Sequence, residues 1–343
     1  MESVANLPTA PSCAPRVCVI VPAYGVAHLV GEALASLQSQ SLPDWECVVV
    51  DDGAADDVAG AVAPFLHDRR IKLVQTAHQG VSAARNTAIA ASTAPLIALL
   101  DGDDRLRPDY LASLVPVLEE HPSVRIATCN GWEFGEIPRE QPCFRSRQGK
   151  GGGLDGWLED VLDRSFDIYI GSIFRRADFE RIGGFDAQMA HAEDFDLWIR
   201  LLQLGGTVRY VDRILGDYRV RANSASAYGV RMLVGEIRAY EKVLASLAAD
   251  APERAVALRM LEGCRDALAF EHAIDRVIDG ETSLGLAQLG ALRNKATGSV
   301  WNLSFALWAW LPSLARPMLR WRRHANRRGN RAALSAMVRA RLT

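Results

Sequence analysis

Over the first third of the chain, short unbroken apolar runs alternate with segments of helical period. Val17-Cys18-Val19-Ile20-Val21 is a β-branched run of the kind that forms a strand buried on both faces, and it stops at Pro22. From His28 to Leu42 the apolar positions Leu29, Val30, Ala33, Leu34 and Leu37 recur on one helical face, and Pro43 closes the segment. Cys47-Val48-Val49-Val50 predicts a second strand, Val58, Val62, Phe65 and Leu66 a second helix, and Ile71 to Val74 a third strand. An alanine-rich helix over Val81 to Ser92 precedes a fourth apolar strand, Leu96 to Leu100. Strands alternating with helices of this length predict an α/β fold with a largely parallel sheet flanked by helices.

The pattern then loosens. Pro108 suits the first turn of a helix reaching about Glu120, followed by a strand over Val124 to Cys129. Gly149 to Gly153 reads as a loop, and a helix is expected from about Ala192 to Leu204, stopped by Gly205-Gly206. Beyond Ser226 strand signals fade. Met232 to Leu247, Pro252 to Ile278 and Ser283 to Leu292 all have helical period, the last two as one antiparallel hairpin, so a boundary is expected near 223–230.

Composition adds bounds. The 343 residues are 49% hydrophobic and 23% charged, enough for a sizeable core, which excludes a disordered chain or a disulfide-stapled miniature. Six cysteines lie apart with no C-x-x-C pair, which points to a reducing, cytoplasmic setting, and the first fifteen residues lack the profile of a secretory signal. The formal charge of −2 hides an asymmetry. After Glu281 there are eleven arginines and lysines and no acid, so residues 1–281, with 28 basic and 41 acidic groups, carry −13.

The second and fourth predicted strands end in aspartates, Asp51-Asp52 and Asp101-Gly102-Asp103-Asp104. In an open parallel sheet ligands bind outside the carboxyl ends of the strands, so up to five negative charges gather at one edge. Such clustering raises pKa values unless a cation compensates, and a hard divalent ion with oxygen ligands is economical there. Aspartates also cap helices and populate turns, which leaves a purely structural role open for each group. The same two readings apply to Glu193-Asp194, where a helix N-terminus stabilises carboxylates and a general base would also sit well. The seven histidines show no metal-ligand spacing.

These strings, taken in order, resemble family-2 glycosyltransferases of the GT-A fold. They are Val19-Ile20-Val21-Pro22-Ala23-Tyr24, Val49-Val50-Asp51-Asp52-Gly53, Gly80 to Asn86, Leu100 to Asp104, Gly171 to Arg176, Gly183 to Asp186, Ala192 to Trp198 and Tyr218-Arg219-Val220. The resemblance covers about residues 16–226. It implies a Rossmann-like GT-A domain there, 16–104 as its nucleotide-binding half and 105–226 as its acceptor half. Outside it lie a flexible stretch 1–15, a helical region 227–298 and a tryptophan- and arginine-rich tail 299–343.

The resemblance also implies roles. Pro22, Ala23 and Tyr24 would cradle the base of a nucleotide-sugar donor, UDP-linked, with Asp52 reading the uracil edge and Arg85 contacting base or phosphate. Asp101 and Asp103 would hold ribose and diphosphate, Asp103 and Asp104 would bind Mn2+ or Mg2+, and Asp194, supported by Glu193, would be the base of an inverting transfer. Trp198 would wall the acceptor, with a place in the core as the equal alternative. Two departures stand out: Ala54 replaces a serine, and Arg221 stands where a histidine is common, suited to pairing with the diphosphate. A sugar nucleotidyltransferase and a catalytically silent sugar- or nucleotide-binding module are the alternatives; the former lacks its glycine-rich first loop at Pro22 to Val26.

Between Lys295 and Arg316 lie twenty uncharged residues with three tryptophans. Asn302, Ser304, Pro312 and Ser313 interrupt them, which favours a helix in the plane of a membrane surface over one that spans. With the basic tail this implies an anionic membrane surface as partner, the inner face in a cytoplasmic protein, and a saccharide or lipid-linked acceptor. No motif points to nucleic acid.

Overall fold

A computed structural model of the chain describes residues 14–144, 153–221, 229–295 and 299–327. The expected N-terminal stretch up to residue 13, most of the loop at 149–153, the boundary at 223–228 and the tail beyond 327 lie outside the described residues.

The first half alternates as the hydrophobic pattern requires: β1 (Val17–Ala23), α1 (Ala27–Gln38), β2 (Trp45–Asp51), α2 (Val58–Val62), β3 (Ile71–Gln75), α3 (Val81–Ala90) and β4 (Leu96–Leu99). It continues with β5 (Arg105–Leu106), α4 (Tyr110–Glu120), β6 (Val124–Gly135), β7 (Gln141–Pro142), β8 (Asp155–Gly156) and α5 (Leu158–Leu162). Next come β9 (Ile173–Arg175), α6 (Arg176–Arg181), α7 (Glu193–Leu202) and β10 (Thr207–Val220). Five further helices follow among the described residues: α8 (Gly229–Ser246), α9 (Glu253–Asp279), α10 (Thr282–Ala291), α11 (Ser299–Trp310) and α12 (Ala315–Arg327).

All ten strands join one sheet in the order β3-β2-β1-β4-β9-β6-β10-β5, with β7 on β6 and β8 on β10. The parallel part is confined to β3, β2, β1 and β4, whose connections carry crossover helices. β9 pairs antiparallel with both β4 and β6, and β5 antiparallel with β10, so the sheet is mixed. β10 and β9 escape the hydrophobic pattern because they are partly solvent-facing or only three residues long. Pro108 lies before the N-cap Asp109 of α4 rather than in its first turn, and Pro116 is accommodated within that helix.

β1, β2 and β4 are buried at nearly every position, as strands covered by helices on both faces must be. Val17, Val19, Val21, Cys47, Val49 and Ala98 point to one side, where Leu34 and Leu37 of α1 and Leu111, Leu114 and Leu118 of α4 close the core. The five described cysteines are free thiols.

Two compact units are distinguished. One is formed within Met1–Glu133, Gln141–Val161 and Phe166–Arg219, and the other within Phe134–Glu140, Leu162–Ser165 and Val220–Thr343. In the second unit α9 is the spine. Phe270, Ala273, Ile274 and Val277 on α9 bury Leu289 of α10, Phe305 and Trp308 of α11, and Leu319 of α12. Gly285 permits close approach of α10, since a Cβ there would meet Val277 and the Ala273 carbonyl. Among the described residues no helix is long and apolar enough to cross a membrane. Trp308 is buried and Trp301 turns inward onto Phe270, because α11 packs one face against α9.

Candidate functional site

Three parallel neighbours, β2, β1 and β4, deliver their carboxyl ends to the same sheet edge. Tyr24 follows β1 and is 54% exposed, whereas Ala23 before it is buried and uses its carbonyl to accept the Asp52 amide. Tyr24 stacks on His78, ring centroids 4.2 Å apart. Pro22 is half-buried, and its carbonyl lies 3.1 Å from where a Cβ on Gly102 would stand. Glycine at 102 therefore lets the acidic turn after β4 press against the end of β1.

Asp52, expected at the uracil edge, is 3% exposed, and its Oδ1 accepts from the Gln79 amide (2.9 Å) and the Thr76 hydroxyl (3.3 Å). Its Oδ2 accepts from the Gly80 amide (2.8 Å) and lies 2.9 Å from His78 Nδ1. Four contacts match the roughly four lone-pair positions of a carboxylate. Asp52 thus clamps the turn from Thr76 to Gly80, and a uracil edge could reach it only by displacing one of these groups. Asp51, also buried, accepts from the Ala54 amide and from Gln75. His78, unassigned from the sequence, is placed by this clamp.

Arg85, expected near base or phosphate, is 2% exposed, with Nη2 donating to Asp101 Oδ1 and Nη1 to Glu193 Oε1, each at 2.7 Å. A buried guanidinium requires such partners, and it faces the Phe185 ring at 5.4 Å on another side. Although burial works against its charge, Asp101 and then Glu193 hold Arg85 more firmly protonated than usual. The neighbouring Asn86 exchanges two hydrogen bonds with the backbone of Phe185, and Ser82 donates to the Met189 carbonyl. α3 therefore anchors the segment 185–193 beside the acidic turn.

That segment ends at Ala192, a non-glycine residue with φ of 56°, just before α7. Left-handed backbone at a β-carbon residue is sustained by its surroundings and marks a locally strained turn. It places Glu193 and Asp194 in the first turn of α7, where the helix dipole favours carboxylates. Burial raises the Glu193 pKa, the Arg85 charge opposing it and Asp194 adding to it. Asp194 is half-buried, and its Oδ1 accepts from the Phe195 amide at 2.8 Å.

In the acidic turn Asp101 and Asp103 are half-buried and Asp104 is 3% exposed. Burial pushes the Asp104 carboxyl well above the usual range, and Asp101 and Asp103 push it further. Arg219 straps the turn. Its amide donates to Asp104 Oδ1 (2.7 Å), its Nε to the Asp103 carbonyl (2.8 Å) and its Nη2 to Glu32 (2.6 Å). The crowding of three carboxyls suits a divalent cation, yet among the described residues no group of three or more His, Cys, Asp or Glu is arranged to hold one alone. Such a donor set fits Mg2+ or Mn2+ completed by water and phosphate oxygens.

Trp198 is 2% exposed and packs edge-on to Phe174 at 5.8 Å, on the inward face of α7. Arg221 lies just beyond β10, in the second unit.

Residues 18–183 match the family described as Glycosyl transferase family 2. The chain is 29% identical over 295 residues to the succinoglycan biosynthesis protein ExoU of Rhizobium meliloti, covering 76% of this chain and 78% of that protein. It is 28% identical over 193 residues to the Escherichia coli UDP-Glc:alpha-D-GlcNAc-diphosphoundecaprenol beta-1,3-glucosyltransferase WfgD, covering 54% and 70%. Two further curated relatives are spanned over only 23% and 62% of their length. Among solved structures, S. aureus TarS 1-349 in complex with UDP-GlcNAc superposes with a TM-score of 0.62 at 19% identity, covering 91% of this chain and 89% of that one. The mannosyltransferase PcManGT from Pyrobaculum calidifontis, in complex with GDP-Man and Mn2+, gives 0.58 at 20% identity, covering 99% and 91%. The fold is that of the GT-A glycosyltransferases.

Proposed function

We propose, from the match of residues 18–183 to glycosyl transferase family 2 and the similarity to polysaccharide-assembly glycosyltransferases, an inverting transferase that moves a sugar from a UDP-linked donor to an acceptor hydroxyl in surface-polysaccharide or glycolipid assembly. The observation that carries the reading is the Asp101–Arg85–Glu193 bridge, which ties the acidic turn at the donor edge to the carboxylate pair opening α7.

In this reading the exposed Tyr24 ring, backed by His78, offers a face for the base. Asp101 and Asp103 face the ribose and diphosphate, and Asp103 and Asp104 hold the divalent ion. That ion, when bound, offsets the negative charge growing on the departing diphosphate. Glu193 is occupied by Arg85, which leaves Asp194 as the carboxylate of the pair able to take a proton. Asp194 removes the acceptor hydroxyl proton as that oxygen bonds to the anomeric carbon, and the bond from that carbon to the diphosphate breaks on the opposite face. The bonded pair Glu193–Arg85 then fixes the position of Asp194 relative to the acidic turn.

Support for the donor class comes from the UDP-GlcNAc bound to TarS and the UDP-Glc named for WfgD, and for a lipid-linked acceptor from the latter. A panel of UDP- and GDP-sugars, assayed for nucleotide release with and without Mn2+ in the presence of saccharide and lipid-diphosphate acceptors, tests it. Metal-dependent UDP release is expected. Release from GDP-sugars alone, or none with any donor, contradicts it.

A further inference from the structure

α11 has no charged residue from Ser299 to Trp310, and its polar residues are only Ser299, Asn302 and Ser304. Helices of that kind are normally enclosed. Here only one face is, through Trp301, Phe305 and Trp308 against α9. The other face leaves Val300 75%, Leu303 73% and Trp310 86% exposed. Leu311 and Leu314 extend this apolar surface into the turn after α11, and Trp321 on α12 is 74% exposed. Six of the thirteen large exposed hydrophobic residues among those described fall between 300 and 321. Such concentration marks an interaction surface rather than scattered exposure.

The charge around it says what covers it. The last 62 residues hold eleven cations and no acid. Arg322 and Arg323 turn inward to Glu271, Arg323 also to Asp275. Arg316 and Arg320 instead donate to the carbonyl of Ile278, which leaves their positive charge uncompensated by that contact. Arg320 is exposed beside Trp321. A second copy docking through the same patch would set two such basic regions face to face, which like-charge repulsion disfavours. A spanning helix is excluded among the described residues. Exposed tryptophan and leucine rimmed by arginine match the interface of a bilayer with anionic headgroups.

We propose that α11, the turn after it and the Trp321 side of α12 form a surface that docks the protein on an anionic lipid bilayer, the apolar side chains entering the headgroup boundary and the arginines meeting lipid phosphates. The surface is independent of the donor site and holds whatever sugar is transferred.

The test is co-sedimentation of the full chain with vesicles of phosphatidylcholine alone or with about 30% phosphatidylglycerol. The expected result is at least about tenfold stronger partitioning onto the anionic vesicles, weakened by salt. The triple variant Leu303→Ser, Trp310→Ser, Trp321→Ser should lose about tenfold of it while keeping its thermal midpoint and nucleotide release, since all three side chains face solvent. Absence of binding to anionic vesicles, equal binding to neutral ones, or undiminished binding by the triple variant overturns the proposal. So does concentration-dependent self-association that the variant abolishes without any vesicle binding, which would make a second copy the occupant.

Discussion

Arg85 concentrates the energetics of the site in one side chain. It is buried, two carboxylates meet it at 2.7 Å, and both belong to the machinery of the proposed transfer. Removing the cation while leaving Asp101 and Glu193 in place strands two partly desolvated acids against each other. Arg85→Gln should therefore lower the unfolding free energy by about 3–5 kcal/mol in urea denaturation. Arg85→Lys should recover part of this, because an ammonium keeps the charge without the fork that spans both partners. Equal stability of wild type and Arg85→Gln would show that the bridge does not hold the site together. This contact joins positions 108 residues apart, and no local pattern announces it. The sequence suggests an arginine near the nucleotide; the fold buries it between Asp101 and Glu193. Trp198 stayed open between core and acceptor wall for a related reason, since helical spacing gives a face but not what lies opposite it.

At the scale of elements, β2 is fastened at both ends by acids of opposite use. Asp51 and Asp52 at its carboxyl end organise the Thr76–Gly80 turn, while Glu46 at its start accepts from the amides of Thr93 (2.7 Å) and Ala94 (2.9 Å) ahead of β4. Burial works against the Glu46 charge, yet these amides and Lys72 more than offset it and hold the carboxyl below its usual range. A depressed folded pKa stabilises the protein above the unfolded value near 4.5, and that contribution is lost as pH falls through the folded value. Glu46→Gln should cost about 1–3 kcal/mol at neutral pH, with the gap to wild type closing in acid. A gap independent of pH would assign the loss to packing alone. The strands β1 to β4 and the acidic turns were legible because each is a short apolar run ending in punctuation. β10 was not, because Asp212, Arg213 and Asp217 interrupt its alternation. The inward and outward faces of α11 separate only once α9 is in place.

For the molecule as a whole, a net charge near zero conceals −13 up to Glu281 and +11 after it. The acidic part contains the sheet edge at which a nucleotide diphosphate is proposed to bind, so binding there depends on a cation. Saturating UDP at about 100 times its dissociation constant should stabilise the protein by about 2.7 kcal/mol with Mn2+ present. It should give little without the ion, read as a shift in thermal midpoint. The same shift with and without the ion would remove the acidic turn from nucleotide binding. The ordered motifs point to the sheet edge that the fold builds at the ends of β1, β2 and β4, whereas the side-chain partners of Asp52, Arg85 and Trp198 come only from the folded chain.

In the proposed transfer Asp194 takes the acceptor proton while Glu193 stays bonded to Arg85. Asp194→Asn is to be compared with wild type for Mn2+-dependent UDP binding by calorimetry and for steady-state UDP release with an active donor and acceptor. Unchanged binding with a turnover lower by about 10²–10⁴ is expected. Turnover equal to wild type would remove Asp194 as the base.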